Sequence, residues 1–121
     1  GVISSALFGD DPEYHTSADD LAFVSPDSLA DSFEKIWRII DVLEKNGVYV
    51  SLNPKCEPQL GKRGLYISAG DEEIAILWVL NLSDGKHGLL DIAERSGLEF
   101  SAIRKAADSL IGANLLAERK P

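Results

Sequence analysis

EEIAILWVLNLSDGKHGLLDIAERSGLEFSAIRKAADSLIGANLL, residues 72–116, is the stretch whose reading decides the fold, because it packs three helical patterns between turn signals. In the first, Ile74, Ile76, Leu77, Leu80 and Leu82 surround Trp78 and Val79, and the run stops at Ser83-Asp84-Gly85, which reads as a turn. The second, Leu89 to Arg95, sets Leu89, Leu90, Ile92 and Ala93 toward a core. It ends at Ser96-Gly97, where glycine suits the left-handed residue after a helix. The third begins near Phe100 and repeats apolar residues at Ile103, Ala106, Ala107, Leu110 and Ile111. Gly112 or Asn114 ends it before Leu115-Leu116 turns extended. Helix, tight turn, longer helix and strand is the order of a winged helix-turn-helix.

That geometry is first a way of burying three amphipathic stripes, and fold alone does not imply function. A DNA reader places Arg and Lys on the exposed face of the third helix. Arg104 and Lys105 are the candidates there, with Asp108 close by and Glu99 just before. Residues 71–121 hold six Lys and Arg against nine Asp and Glu, a balance of about −3, so phosphate would be repelled rather than drawn in.

Outward from the trio, 121 residues with 45% hydrophobic content can form one domain or two small ones with a packed core. A net charge of −8 gives no basic field for nucleic acid or an anionic membrane surface. The single cysteine, Cys56, excludes an internal disulfide and fits a cytoplasmic location. No apolar run reaches the roughly 18 residues of a spanning helix.

Residues 1–13 start apolar and break at Gly9-Asp10-Asp11-Pro12, which reads as a strand followed by a loop, beginning in mid-element as a fragment would. Tyr14-His15-Thr16-Ser17-Ala18-Asp19-Asp20 then sets an imidazole among carboxylates. From these residues alone His15 reads as a hydrogen-bonded loop residue, because zinc takes three or four ligands and the chain has only His15 and His87. Ser25-Pro26-Asp27 opens a long helix: a cap, a proline suited to the first turn, and a carboxylate at the positive end of the dipole. Leu29, Phe33, Ile36, Trp37, Ile40 and Leu43 follow at three-and-four spacing, and Asn46-Gly47 closes it. Val48, Val50 and Leu52 alternate as its nearest partner. If no sheet covers it, the stripe should recruit another chain, giving a homodimer through the 27–46 helix. Residues 53–66, with two prolines, two glycines and three cations, read as a loop or connector. Lys55, Lys62 and Arg63 could gather an anionic group there.

With both halves read, the chain resembles the C-terminal part of a bacterial family of aminopeptidase-like proteins related to the zinc-dependent M28 peptidases, some of them labelled as polysaccharide-biosynthesis proteins. The words that carry this are Tyr14 to Leu21, the helix after Ser25-Pro26, Asn53-Pro54-Lys55-Cys56 to Tyr66, and Asp84-Gly85-Lys86-His87 through Gly97. The resemblance implies that His15 is the last zinc ligand of such a peptidase. It also implies that the other ligands and the general-base Glu lie upstream of this sequence, so that the chain alone is not catalytic.

The expected fold is mainly α with a small β component, a long amphipathic helix followed by a winged helix-turn-helix. Residues 1–52 form a peptidase-like remnant, 53–70 a connector and 71–121 the winged domain. Two functional readings stand. One is the C-terminal portion of a zinc aminopeptidase-like hydrolase, with the winged helix as a structural or protein-interaction module. The other is an autonomous, dimeric DNA-binding regulator that uses Arg104 and Lys105.

Overall fold

A computed structural model describes residues 25–56, 58–65 and 70–119. The opening strand and the His15 loop lie outside these residues. Two compact units divide between Leu43 and Glu44.

The long helix α1 runs Pro26–Lys45, where the cap and stop signals place it. The Ser25 hydroxyl accepts the Ser28 N–H at 3.1 Å, satisfying one of the donors that a helix start leaves over. None of its side chains is buried. Leu29, Phe33, Trp37 and Leu43 are each 60% exposed or more, with the Phe33 and Trp37 rings stacked 6.2 Å apart.

The second unit contains β1 (Val48–Ser51), α2 (Asp71–Leu82), β2 (Asp84–Gly88), α3 (Leu89–Ser96), α4 (Phe100–Gly112) and β3 (Leu116–Glu118). The helical trio of the sequence reading is present, and the fold is mainly helical with one small antiparallel sheet in the order β2-β1-β3. Its core joins Ile76 and Val79 of α2, Leu89 and Ile92 of α3, and Ile103 and Leu110 of α4 to Leu115, Leu116 and Tyr49. Each such side chain contributes on the order of 1.5–3 kcal/mol by leaving water.

Three details depart from the sequence reading. Strand β1 is the middle strand of this sheet, and its inward residue is Tyr49, 3% exposed, while Val50 and Leu52 face out. Apolar alternation offered Val48, Val50 and Leu52 as a packing face for the long helix and passed over Tyr49. The tyrosine ring fills more volume, and its hydroxyl has a partner in Arg104, so the opposite face is buried.

Ser83-Asp84-Gly85 does not simply end a helix, since Asp84 and Gly85 belong to β2. The turn chemistry is nonetheless real. Asp84 Oδ1 accepts the Lys86 and His87 N–H groups at 2.8 and 3.2 Å, and Gly85 sits at φ +79°. The β1–β2 register shifts here, pairing Val48 with Gly88 but Val50 with Asp84, so the local turn is absorbed as a bulge.

The 53–66 stretch is also more than a solvated connector. Leu60–Arg63 form a short 3-10 helix, Pro58 is buried, Leu60 and Leu65 pack on the core, and Arg63 Nη1 donates to the Ala113 carbonyl at 3.1 Å.

Candidate functional site

Helix α4 carries the residues on which a nucleic-acid role depends. Apolar Ile103, Ala106, Ala107 and Leu110 are buried on one side, leaving Arg104, Lys105 and Asp108 around the other. Arg104 is turned into the protein. Nη1 donates to the Lys45 carbonyl and to the Tyr49 hydroxyl, each at 3.0 Å, while Nε and Nη2 hold both oxygens of Asp108 at 3.2 and 2.7 Å. Partial burial works against the charge, but the hydrogen bonds to Asp108 and Tyr49 more than offset it, and the guanidinium pKa is raised. Lys105 is paired with Glu72 of α2. Both cations proposed for base or phosphate contact therefore already have carboxylate partners from this chain. Sequence spacing revealed Asp108, one turn away on the same helix. It did not reveal Tyr49 or Glu72, which lie 55 and 33 residues off.

The start of α3 is held from outside. Gly88 has no side chain to cap the helix, and Asn46 Oδ1 supplies the missing acceptor for the Leu90 N–H at 3.0 Å. Asp91 reaches back to the Gly88 N–H at 2.8 Å. A Cβ at position 88 would come within 3.0 Å of that Asn46 oxygen, so the glycine makes room for the cap. The Asn46-Gly47 signal read as the end of α1 thus also begins α3. At the start of β2, the Asp84 carboxylate pKa is held down to about 2, first by the Lys86 N–H and then by hydrogen bonds from His87, whose Nδ1 lies 3.1 Å from Oδ1.

Depressions of this unit include two beside α2. A groove of about 340 Å³ between α2 and α4 is lined by Glu72, Ile76, Ala102, Lys105, Ala106 and Ser109 among others. A cavity of about 560 Å³ at the end of α2 is lined by Ser51, Asn53, Cys56, Asn81, Ser83 and Asp84 among others. Cys56 is exposed there, and among the described residues lining this cavity there is no histidine to serve as its base. Among the described residues no three His, Cys, Asp or Glu side chains converge on a point where a metal could sit. Among them, too, no helix is long and apolar enough to cross a membrane.

A three-helix trio with a small sheet, its second and third helices joined by a tight turn at Gly97, defines a winged helix-turn-helix. Residues 47–118 match the model of the winged helix-turn-helix family, and the chain belongs to it. Residues 1–46 match a second family, described as a domain of unknown function. A relative from Clostridium acetobutylicum, named provisionally as a polysaccharide biosynthesis protein with aminopeptidase-like domain, is 49% identical over 96% of this chain and 28% of its own length. A crystal structure of a protein from the same organism, described provisionally as a peptidase, superposes with a TM-score of 0.80. It is 52% identical over 93% of this chain and 25% of its own length. The chain spans little more than a quarter of the relatives it matches.

Proposed function

We propose that this chain is the C-terminal portion of a larger zinc aminopeptidase-like hydrolase, non-catalytic by itself, with the winged helix-turn-helix as a structural or protein-interaction module. The observation that carries the reading is the 49% identity extending over 96% of the chain but only 28% of an aminopeptidase-like relative. The module role is supported by α4, whose Arg104 and Lys105 are engaged by Asp108, Tyr49 and Glu72. An acidic balance of −8 points the same way.

In this reading His15 is one zinc ligand, as the family resemblance implies. A catalytic zinc takes about three protein ligands, so one imidazole is insufficient and the others come from elsewhere in the longer protein. Zinc bound there would act as a Lewis acid on a peptide carbonyl or its attacking water. Among the described residues no three His, Cys, Asp or Glu side chains form a metal site by themselves.

The test is metal analysis and aminoacyl-anilide hydrolysis on the longer protein, on its His15→Ala variant, and on this chain alone. Expected are zinc and activity in the longer protein, loss of both in the variant, and neither in the isolated chain. Hydrolysis by the isolated chain, or full zinc occupancy in the variant, would overturn the proposal.

The winged helix-turn-helix match keeps one alternative, an autonomous dimeric regulator. A gel shift with random duplexes at about 150 mM salt separates the two. No specific complex is expected; one that is lost in Arg104→Ala would favour the regulator.

A further inference from the structure

Helix α1 has a stricter pattern than amphipathicity requires. Leu29, Phe33, Ile36, Ile40 and Leu43 are spaced four, three, four, three, the a/d repeat of a coiled-coil seam. With Phe33 and Ile40 at a and the others at d, the flanking e and g positions are Ala30, Ser32, Trp37, Ile39 and, at the helix end, Glu44. Every charged residue between Leu29 and Leu43 falls at b, c or f. The ion pairs Asp31–Lys35 and Glu34–Arg38 lie there too, on the outer face. A repeat of 3.5 residues keeps a seam in register with another helix, which specifies the kind of partner.

The seven apolar side chains of seam and flanks are between 38% and 67% exposed. At about 150–250 Å² for an aromatic side chain and somewhat less for each aliphatic one, they offer roughly 700 Å². A partner in a stable interface contributes about 800 Å². One further copy of the same face supplies the matching area, with no charge on the seam to oppose it.

We infer that α1 is a self-association surface, pairing with α1 of a second copy of this chain in an antiparallel coiled coil. Antiparallel packing opposes the helix dipoles, which a parallel pair would align.

Light scattering at tens of micromolar should give twice the 13.1 kDa of one chain. Ile36→Glu and Ile40→Glu should each give a monomer with unchanged circular dichroism in the winged unit, while Arg38→Gln on the outer face stays dimeric. With Cys56 replaced by Ser, a Leu29→Cys chain mixed with an Ile40→Cys chain should cross-link between copies, and Leu29→Cys alone should not. A monomeric wild-type chain, or a dimer that survives both glutamates, overturns the inference. So does a longer protein that is monomeric with α1 covered by its own remaining residues.

Discussion

Removing the guanidinium of Arg104 strands the Lys45 carbonyl, the Tyr49 hydroxyl and the Asp108 carboxylate at once. Arg104→Ala is expected to lower stability by about 1–3 kcal/mol, the range for breaking a partly buried charged hydrogen bond. Arg104→Lys should fall between, because an ammonium cannot reproduce the planar fork. Urea midpoints at unchanged slope would check both. A stability loss alongside unaltered behaviour toward DNA would mark Arg104 as structural.

Asp84 makes a pH-dependent contribution of known sign. Its folded pKa, about 2, lies below the unfolded value. The stability it adds is therefore fully present above about pH 4 and lost as pH falls toward its folded pKa. The melting-temperature gap between the wild type and Asp84→Asn should narrow across that window and stay constant from pH 5 to 7. A gap that widened on acidification would contradict the assignment. Both residues show what a sequence conceals. Asp108 was visible beside Arg104 because helical spacing is local, whereas the inward turn of Arg104 depends on a strand that only the tertiary fold brings near.

At the scale of elements, signals confined to a few residues were legible and those requiring a distant partner were not. Ser25-Pro26, Gly97 and the three-and-four spacings fix helices through their own backbone hydrogen bonds, and α1 to α4 appear where those signals stand. The face of β1 could not be read from alternation, because the choice between Tyr49 and the valines rests on Arg104 and on two neighbouring strands. The His15 loop gave a site only through resemblance and lies outside the described residues.

The cap on α3 was equally hidden. Asn46→Ala should cost about 1 kcal/mol by exposing the Leu90 N–H, although position 46 lies outside that helix. Gly85 tests the bulge. A Cβ there would meet Val50 Cγ2 at 3.1 Å and force a left-handed backbone, so Gly85→Ala should destabilise by about 1–2 kcal/mol. Gly112→Ala, with open space around it at the end of α4, should instead be neutral or gain a few tenths of a kcal/mol. Thermal melts of the two alanine variants should shift in opposite directions or leave only the first displaced.

The whole molecule can be cut to learn where its folding unit begins. Among the described residues every buried hydrophobic side chain of the core lies at Tyr49 or beyond, and α1 buries none. A chain starting at Glu44 keeps the Lys45 carbonyl for Arg104, the Asn46 cap for α3 and the whole of β1. It should unfold cooperatively with a midpoint close to that of the full chain. A chain starting at Asn53 keeps all three helices of the trio, and on helical pattern alone it would be sufficient. It loses the middle strand, however. In the order β2-β1-β3 the outer two strands pair only with β1, so without it the backbone groups of both lose their partners together. The core also loses the Tyr49 ring, a deletion of the kind that costs about 3–5 kcal/mol for a large buried aromatic, against a typical domain stability of 5–15 kcal/mol. The fragment from Asn53 should therefore retain helical far-ultraviolet dichroism but melt broadly, without a sharp midpoint. A cooperative transition in that fragment would show that the helical trio is self-sufficient and that β1 only decorates it.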